Sequence, residues 1–532
     1  MLSKFDLVVL NGVVVTASDT SSFDIGIKDG KIHTLAPSFT PEDIGDAQVV
    51  DAEGGMVMPG GVDAHVHLCQ DQKTGPLGLG GQCADDFETG SRSAVCGGTT
   101  TIIAFAKQSR DEEDRSLLKV VEAYSARAEE TGSYIDYAFH IIIVRDDKDV
   151  LQTELPVLVK KWGITSCKLF MTYKTMQLQD YQLLDVMLAA LDNSITTMIH
   201  AENGDMITWL AEKLESKGML APYYHALSRP PSVEGEAANR AIVLAELIES
   251  PILFVHVGSS ASANIIRAAQ TRGLPVFAET CPQYLNLTWE DLKRFHSPDC
   301  FENSKMICSP PPGPDSSDQD ALYLGLHNGT FTVFSSDHCP YKYNDPHGKM
   351  AGMLEHGPSM HRASCEGISL PELAKSKTGS FKLVPNGIPG VETRLPLLFT
   401  RGVTAGRITP QKFVELTSTN PAKLYGLYPQ KGALLPGSDA DIVIWYPEGG
   451  LTPFKLTNEH LHHNVDYTPY EGMEFANWPR YTLSRGQVVW ANGKLLGTPR
   501  DGRYLKRGPN QLGKGVAHFK KDPRTVATWV RE

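Results

Sequence analysis

Two histidines one residue apart, His65 and His67, close a short apolar run; later runs close on His200, His256 and Asp337, and another encloses Lys168. Imidazole nitrogens with a carboxylate oxygen form a donor set that suits zinc. Side chains two apart on a strand share a face, so His65 and His67 can act as a pair. Each residue alone has a bland account. A strand histidine is ordinarily a hydrogen-bonded core residue, the account we give His140, and Asp337 in Ser335-Ser336-Asp337-His338 fits a helix cap. Joint placement favours the metal, because core histidines have no reason to gather at the carboxyl ends of three strands. Lys168 is the hardest to explain blandly. An ammonium in the apolar run Cys167-Lys168-Leu169-Phe170 is costly without a partner and would repel a cation. A neutral amine, in contrast, can take up carbon dioxide as a carbamate, an anionic group able to bridge two metal ions.

The elements that must position these groups alternate. Short apolar runs at 61–68, 99–106, 137–144, 166–172, 196–202, 252–258, 275–280 and 332–337 are separated by stretches of helical period such as 117–130, 205–216 and 237–249. Eight such runs predict an α/β fold, a (β/α)8 TIM-like barrel spanning 58–425, whose strand ends converge on one face. Residues 1–57 and 426–496 have a different texture, short valine-rich runs broken by turns. They predict one small β-sandwich domain built from both chain ends. Asn11-Gly12 and Asp29-Gly30 read as hairpin turns in its first part, Arg485-Gly486 and Asn492-Gly493 in its second. The long connection at 281–331 should make a local excursion near the barrel mouth. The glycine-rich stretch 69–87 should form part of a lid. From 497 to 532 the chain turns basic and aperiodic, a tail expected to pack on a neighbouring subunit or stay loose.

Composition sets the remaining bounds. With 532 residues, 41% hydrophobic and 21% charged, the chain is neither collagenous, coiled-coil nor mostly disordered. A net formal charge of −12 argues against nucleic acid as a partner, and no apolar run is long enough for a membrane helix. Nine cysteines, with no Cys-x-x-Cys pair, suggest neither a disulfide framework nor a structural zinc site, which makes a reducing cytoplasm the simplest location.

Seven motifs in order carry a resemblance: MPGGVDAHVHL at 58–68, CKLFMTYK at 167–174, IHAENGD at 199–205, ETCPQYL at 279–285, SSDHCPY at 335–341, GIPGVETR at 387–394 and NPAKLYGLYPQKGALLPGSDADIVIW at 420–445. From about residue 5 to 497 the chain resembles the cyclic amidohydrolases, most closely the dihydropyrimidinase and hydantoinase group. The resemblance implies two Zn2+ per subunit. His65, His67 and Asp337 would hold one and His200 and His256 the other, with N6-carboxylated Lys168 and a hydroxide bridging them. It also implies that Asp337 shuttles the proton, that Tyr173 donates to the tetrahedral oxyanion, and that Ser309 and Asn386 hold the ring amide through backbone groups. The implied substrate is a small cyclic amide, 5,6-dihydrouracil or dihydrothymine first, 5-substituted hydantoins and cyclic imides next, and the implied assembly is a homotetramer. Where relatives often place an arginine after Ser-Pro-Pro, this chain reads SPPPGPD at 309–315.

Two other readings compete. Dihydroorotases and allantoinases usually follow the histidine pair with an arginine, whereas here Leu68-Cys69-Gln70 follows and the next arginine is Arg92. Non-catalytic scaffold relatives have lost metal ligands, and every ligand position is filled here.

Overall fold

Eight parallel strands run in chain order around a barrel: β1 (Gly61–Val66), β2 (Thr99–Lys107), β3 (Asp136–Ile142), β4 (Ser166–Phe170), β5 (Thr196–His200), β6 (Ile252–Phe254), β7 (Val276–Thr280) and β8 (Val333–Phe334). The molecule is a computed structural model describing residues 4–70, 83–294, 300–345, 348–352, 379–513 and 530. β1, β3, β4, β5, β6 and β7 are buried along their whole length, the pattern of a parallel sheet covered on both faces. Inside, Val62, Ala64, Ile103, Phe105, Ala138, Met198 and Leu253 form one apolar cluster. The ring closes just past β8. There His338 bridges Val66 in parallel register, and the His67 N–H donates to the His338 carbonyl at 2.7 Å.

That seam is held by one carboxylate. Asp63 Oδ1 accepts the backbone N–H groups of His65 (3.2 Å) and Ser336 (3.1 Å). Its Oδ2 faces Arg394 Nε at 3.3 Å, both side chains fully buried. Arg394 also donates to the carbonyls of Phe334 at 2.8 Å and Val62 at 3.3 Å, so one guanidinium spans both sides of the closure.

The outer helices follow the expected period. Leu117–Thr131 buries Leu117, Val120, Val121, Tyr124 and Ala128, is capped by Ser116 accepting from the Lys119 N–H, and ends at Gly132 with φ 79°. A Cβ at Gly132 would sit 2.0 Å from the Pro499 carbonyl oxygen, so only glycine fits that stop. The helix expected at 237–249 begins earlier, at Pro231–Leu247, because a proline in the first turn gives up only an N–H that has no helical partner. The long connection after β7 carries the helices Pro282–Asn286 and Ser316–Asn328. β8 is shorter than the run at 332–337 suggests, and Asp337 lies beyond it with a left-handed backbone, φ 51°.

Beside the barrel, strands from both chain ends share one seven-stranded sheet, in which Met56–Pro59 pairs antiparallel with Ile442–Trp445. A four-stranded sheet of Lys31–Ala36, Asp24–Lys28, Leu7–Leu10 and Gln48–Asp51 packs on it through Val9, Ile25, Ile27, Val57, Ile442 and Ile444. Three of the four expected hairpin turns form, at Asp29-Gly30, Arg485-Gly486 and Asn492-Gly493, each with two consecutive positive φ values. The hairpin expected at Asn11-Gly12 does not. Leu7–Leu10 and Val13–Val15 lie in different sheets. Asn11 is held by Asp24 and Asp51 instead, and Gly12 lies so close to Val57 that a Cβ would meet its side chain at 2.4 Å. The glycine turns the strand from one sheet into the other.

Residues 498–513 lie across the floor of this chain's own barrel. Tyr504 bridges Tyr137, Leu505 N–H donates to the Tyr137 carbonyl, and buried Arg507 reaches the Phe139 carbonyl at 2.5 Å and Ser166 Oγ at 2.9 Å. The later tail, except Val530, and most of the expected lid, residues 71–82, fall outside the described residues. Among the described residues no helix is long and apolar enough to cross a membrane, and the eight cysteines are free thiols.

Lys431 joins sandwich to barrel. Its fully buried amine lies 2.6 Å from Asp136 on β3, 2.8 Å from Asp441 and 3.1 Å from Asp439; Arg485 also pairs with Asp136. Burial disfavours the ammonium, but the three carboxylates outweigh it and raise the amine above the ordinary lysine range. Lys431→Met leaves those carboxylates facing one another and should destabilise the protein by about 3–5 kcal/mol. A fall in the urea-unfolding midpoint checks this; an unchanged midpoint would show that Arg485 alone neutralises the junction.

Candidate active site

The carboxyl ends of the strands bring the six residues together at one cavity of about 490 Å³, lined by every residue singled out for chemistry except the fully buried His65. His67 comes one residue after β1, Lys168 lies within β4, His200 ends β5, His256 follows β6 by two residues, and Asp337 follows β8 by three. Two of these positions, and that of Tyr173, require unusual backbone. Tyr173, His256 and Asp337 have φ of 66°, 39° and 51°, conformations that a side chain with a Cβ rarely adopts. Such strain, of order 1–3 kcal/mol per residue, persists where the surrounding packing over-determines the geometry.

His65, His67 and Asp337 place one donor atom each within 4.8 Å of one another. Each histidine is oriented from behind. His65 Nδ1 donates to Glu279 Oε1 at 2.6 Å, and His67 Nδ1 to Gln70 Oε1 at 3.1 Å, which leaves both Nε2 atoms turned toward Asp337 Oδ1, at 3.0 and 3.7 Å. Gln70 is fixed in turn by donating to the Phe105 carbonyl. His256 stands between the two halves, its ring 5.4 Å from that of His65 and 4.5 Å from that of His200. Its backbone N–H donates to Glu279 Oε1, and its Nδ1 is buried with no hydrogen-bond partner. His200 Nε2 donates to Glu202 Oε2 at 2.7 Å, and Glu202 is paired with Arg229 at 2.9 Å. Lys168 Nζ lies 2.8 Å from His65 Nε2 and over the rings of Phe105 and Phe170.

The charges follow from this crowding. Burial pushes His67, His200 and His256 below the ordinary imidazole range, with Lys168 adding to it. Burial likewise pulls the Lys168 amine down against the opposing pull of Asp337 and Glu279. Burial would raise Asp337, but His65 and Lys168 outweigh it and hold the carboxyl low. The same balance, with Arg229 as the main counter-charge, holds Glu202 at about 2. Neutral imidazoles at His67, His200 and His256, ionised carboxylates, an orphaned buried Nδ1 and a depressed amine suit divalent cations, and the carboxylate or amide behind His65, His67 and His200 is the support such ligands need.

Tyr173 stands beside this group, its ring 5.3 Å from that of His200. Burial pushes its hydroxyl up to about 12, so it keeps its proton at neutral pH. Asn386 Nδ2 donates to that hydroxyl at 3.3 Å and Ser309 lies against it, so Tyr173, Ser309 and Asn386 meet at one point. His140 is the core residue expected: Nε2 donates to the Ala64 carbonyl, Nδ1 meets Ser166, and burial keeps the ring neutral. Asp337 caps no helix.

The sequence reading missed Glu202, Arg229, Glu279, Gln70 and Lys349. Glu202 and Glu279 sit inside the motifs IHAENGD and ETCPQYL, and their spacing from a histidine or strand end was the available signal. Lys349 had none. Its buried amine, pulled down to about 7 by desolvation, donates to the carbonyls of Ile307 (2.7 Å) and Pro385 (2.8 Å), tying the segment before Ser309 to the one before Asn386.

Comparison with known proteins gives concordant matches. The family model described as Amidohydrolase family matches residues 56–489. A D-hydantoinase of Ralstonia pickettii is 40% identical over 94% of this chain and 99% of its own length. A solved dihydropyrimidinase from Brevibacillus agri NCHU1002 is 36% identical, with a TM-score of 0.82 over 94% of this chain and 98% of the other. An L-hydantoinase (dihydropyrimidinase) from Arthrobacter aurescens is 26% identical with a TM-score of 0.77, over 94% and 100% of the two chains.

Lys349→Met removes the lysine donor from the Pro385 carbonyl and one of two donors from the Ile307 carbonyl, at about 1–3 kcal/mol for a group left unsatisfied. Hydrogen exchange in residues 307–310 and 385–387 should then quicken by roughly tenfold or more. Unchanged exchange would mean that the Gly387 N–H to Ile307 carbonyl bond suffices.

Proposed function

Since this chain belongs to the Amidohydrolase family and, within it, to the hydantoinase and dihydropyrimidinase group of cyclic amide hydrolases, we propose that it opens the ring of 5,6-dihydropyrimidines, dihydrouracil and dihydrothymine, to N-carbamoyl-β-amino acids. The observation that carries the reading is the meeting, in one cavity, of the His65, His67 and Asp337 group with a protonated tyrosine flanked by Ser309 and Asn386. Hydantoins substituted at ring carbon 5 are the second reading, supported by relatives named for that ring.

The family is generally metal-dependent. We assign one Zn2+ to His65, His67 and Asp337 and a second to His200 and His256, with Lys168 as an N6-carboxylated bridge; the lowered amine supports carbamate formation. Bound there, the cations would polarise the amide carbonyl and make water acidic enough to attack at neutral pH. The protein's own groups do the rest. The backbone of Ser309 and Asn386 holds the ring amide, and Tyr173 donates its hydroxyl proton in a hydrogen bond to the oxygen that gains charge as water adds. Asp337, ionised at the outset, accepts the proton of the attacking water and returns it to the ring nitrogen as the C–N bond breaks. Glu279, Gln70 and Glu202 fix the imidazoles, and Arg229 keeps Glu202 ionised. We propose a homotetramer as the assembly, which light scattering would read as four chains.

The direct test is metal content beside ultraviolet-monitored hydrolysis of dihydrouracil, dihydrothymine, hydantoin, a 5-aryl hydantoin, succinimide, allantoin and dihydroorotate. Two zincs per chain with fastest turnover on dihydrouracil support the first reading. Fastest turnover on a hydantoin moves the substrate to the second, and no metal with no turnover overturns both. Lys168→Ala should lose metal and activity together, with partial rescue by short carboxylic acids; a fully active variant would sink the bridging role. Asp337→Ala should retain metal yet lose about 10²–10⁴ in kcat. Tyr173→Phe should lose about 10²–10³ in kcat with KM little changed. A Tyr173→Phe loss confined to KM would assign the hydroxyl to ground-state binding instead.

A further inference from the structure

Lys107 is the last residue of β2 and lines the cavity, yet no step above uses it. Its placement follows from the strand. Phe105, two residues earlier, belongs to the apolar cluster inside the barrel, and its ring stacks on His67 at 4.9 Å. Alternation puts Lys107 on the same face, about 6.6–6.8 Å nearer the mouth. Its register neighbour on β3, Ile142, lines the cavity too. The site is thus a wall of apolar side chains carrying one ammonium, directly above the side of the cluster that holds His67.

That ammonium has no hydrogen-bond acceptor or ion-pair partner among the described residues, which sets it apart from other cations at the cavity. Arg229 is spent on Glu202 and Lys382 on Glu215 at 3.0 Å, and Lys174 is exposed at the rim. Burial pulls the Lys107 amine below the ordinary lysine range, a desolvation that an anionic partner would offset. The cavity is also the size that houses drug-sized ligands, more than a bare five- or six-membered ring fills. A ring held at Tyr173, Ser309 and Asn386 leaves the β2 and β3 side free for a side arm.

We infer that Lys107 reads a carboxylate on that arm, so that among cyclic amides carrying a side arm those with an anionic one are preferred, of the class of hydantoin-5-acetate and hydantoin-5-propionate. The inference rests on the ring-opening reading and adds to it a preference among substituted rings. A lysine and a carboxylate meeting in a partly dehydrated wall form a charge-assisted hydrogen bond, stronger than the bond an amide of the same shape could make.

The test compares kcat/KM of the zinc-loaded full-length protein on the two acids and on their primary amides, which match them in shape and lack the charge. The acids should be favoured by about tenfold or more. Lys107→Met should bring the acid-to-amide ratio to about one, and Lys107→Arg should keep most of it. Because the ratio is taken within one variant, partial loss of active protein cancels, and Lys107→Gln gives the same contrast where the Met variant fails to fold. Turnover of the amides or of dihydrouracil with no preference for the acids overturns this inference alone, and so does a preference that survives in Lys107→Met, the behaviour of a lysine that merely reaches bulk water. No turnover of any cyclic amide overturns the ring-opening reading and this inference with it.

Discussion

A carboxylate shut away from water, Asp63, decides whether there is a site at all. His65 and His67 come from the first barrel strand and Asp337 from beyond the eighth, so they meet only where the sheet closes on itself. Asp63 sits at that closure, accepting N–H groups from both sides and facing Arg394, which holds carbonyls of both edges. Burying such a pair costs several kcal/mol per ion in desolvation. The return is geometric: the two edges take one register, and the donor atoms of strands at opposite ends of the barrel sequence come within a few ångströms.

Above that seam the interior gathers a buried amine and four imidazoles around a few carboxylates. The arrangement stands because the carboxylates are shared. Glu279 serves His65 and the backbone of His256 at once, and Glu202 serves His200 and Arg229. Left-handed backbone at Tyr173, His256 and Asp337 aims side chains inward from positions where an extended strand would aim them elsewhere. Local comfort is given up at three residues so that the cavity has donors on every side.

The residues that carry chemistry were legible because their types are rare in apolar strands: His65, His67, Lys168, His200 and His256 interrupt runs that otherwise read as core. The barrel was legible because alternating periods repeat eight times. What escaped the sequence shares a different character. Glu202, Glu279 and Gln70 act through distant partners, and nothing in a single carboxylate or amide reveals which histidine it will meet. Lys349 follows no period and binds only backbone. Asn11-Gly12 has the composition of a tight turn, but Val57 and the two aspartates that hold Asn11 are brought there by tertiary packing, so the same dipeptide becomes a crossing between sheets.

The strip at 498–513 gives this architecture a history as well as a shape. Arg507 completes the barrel floor by reaching Ser166, which lies 341 residues earlier in the chain. At roughly 5–20 residues per second, a ribosome needs on the order of tens of seconds to make that stretch. Through that interval β3 and β4 belong to a nascent barrel with an open underside, and until residues 442–495 are made the seven-stranded sheet lacks four of its strands. Barrel and sandwich therefore cannot finish one after the other as the chain emerges. Both wait for residues made after 441, and until the strip arrives the underside stays open.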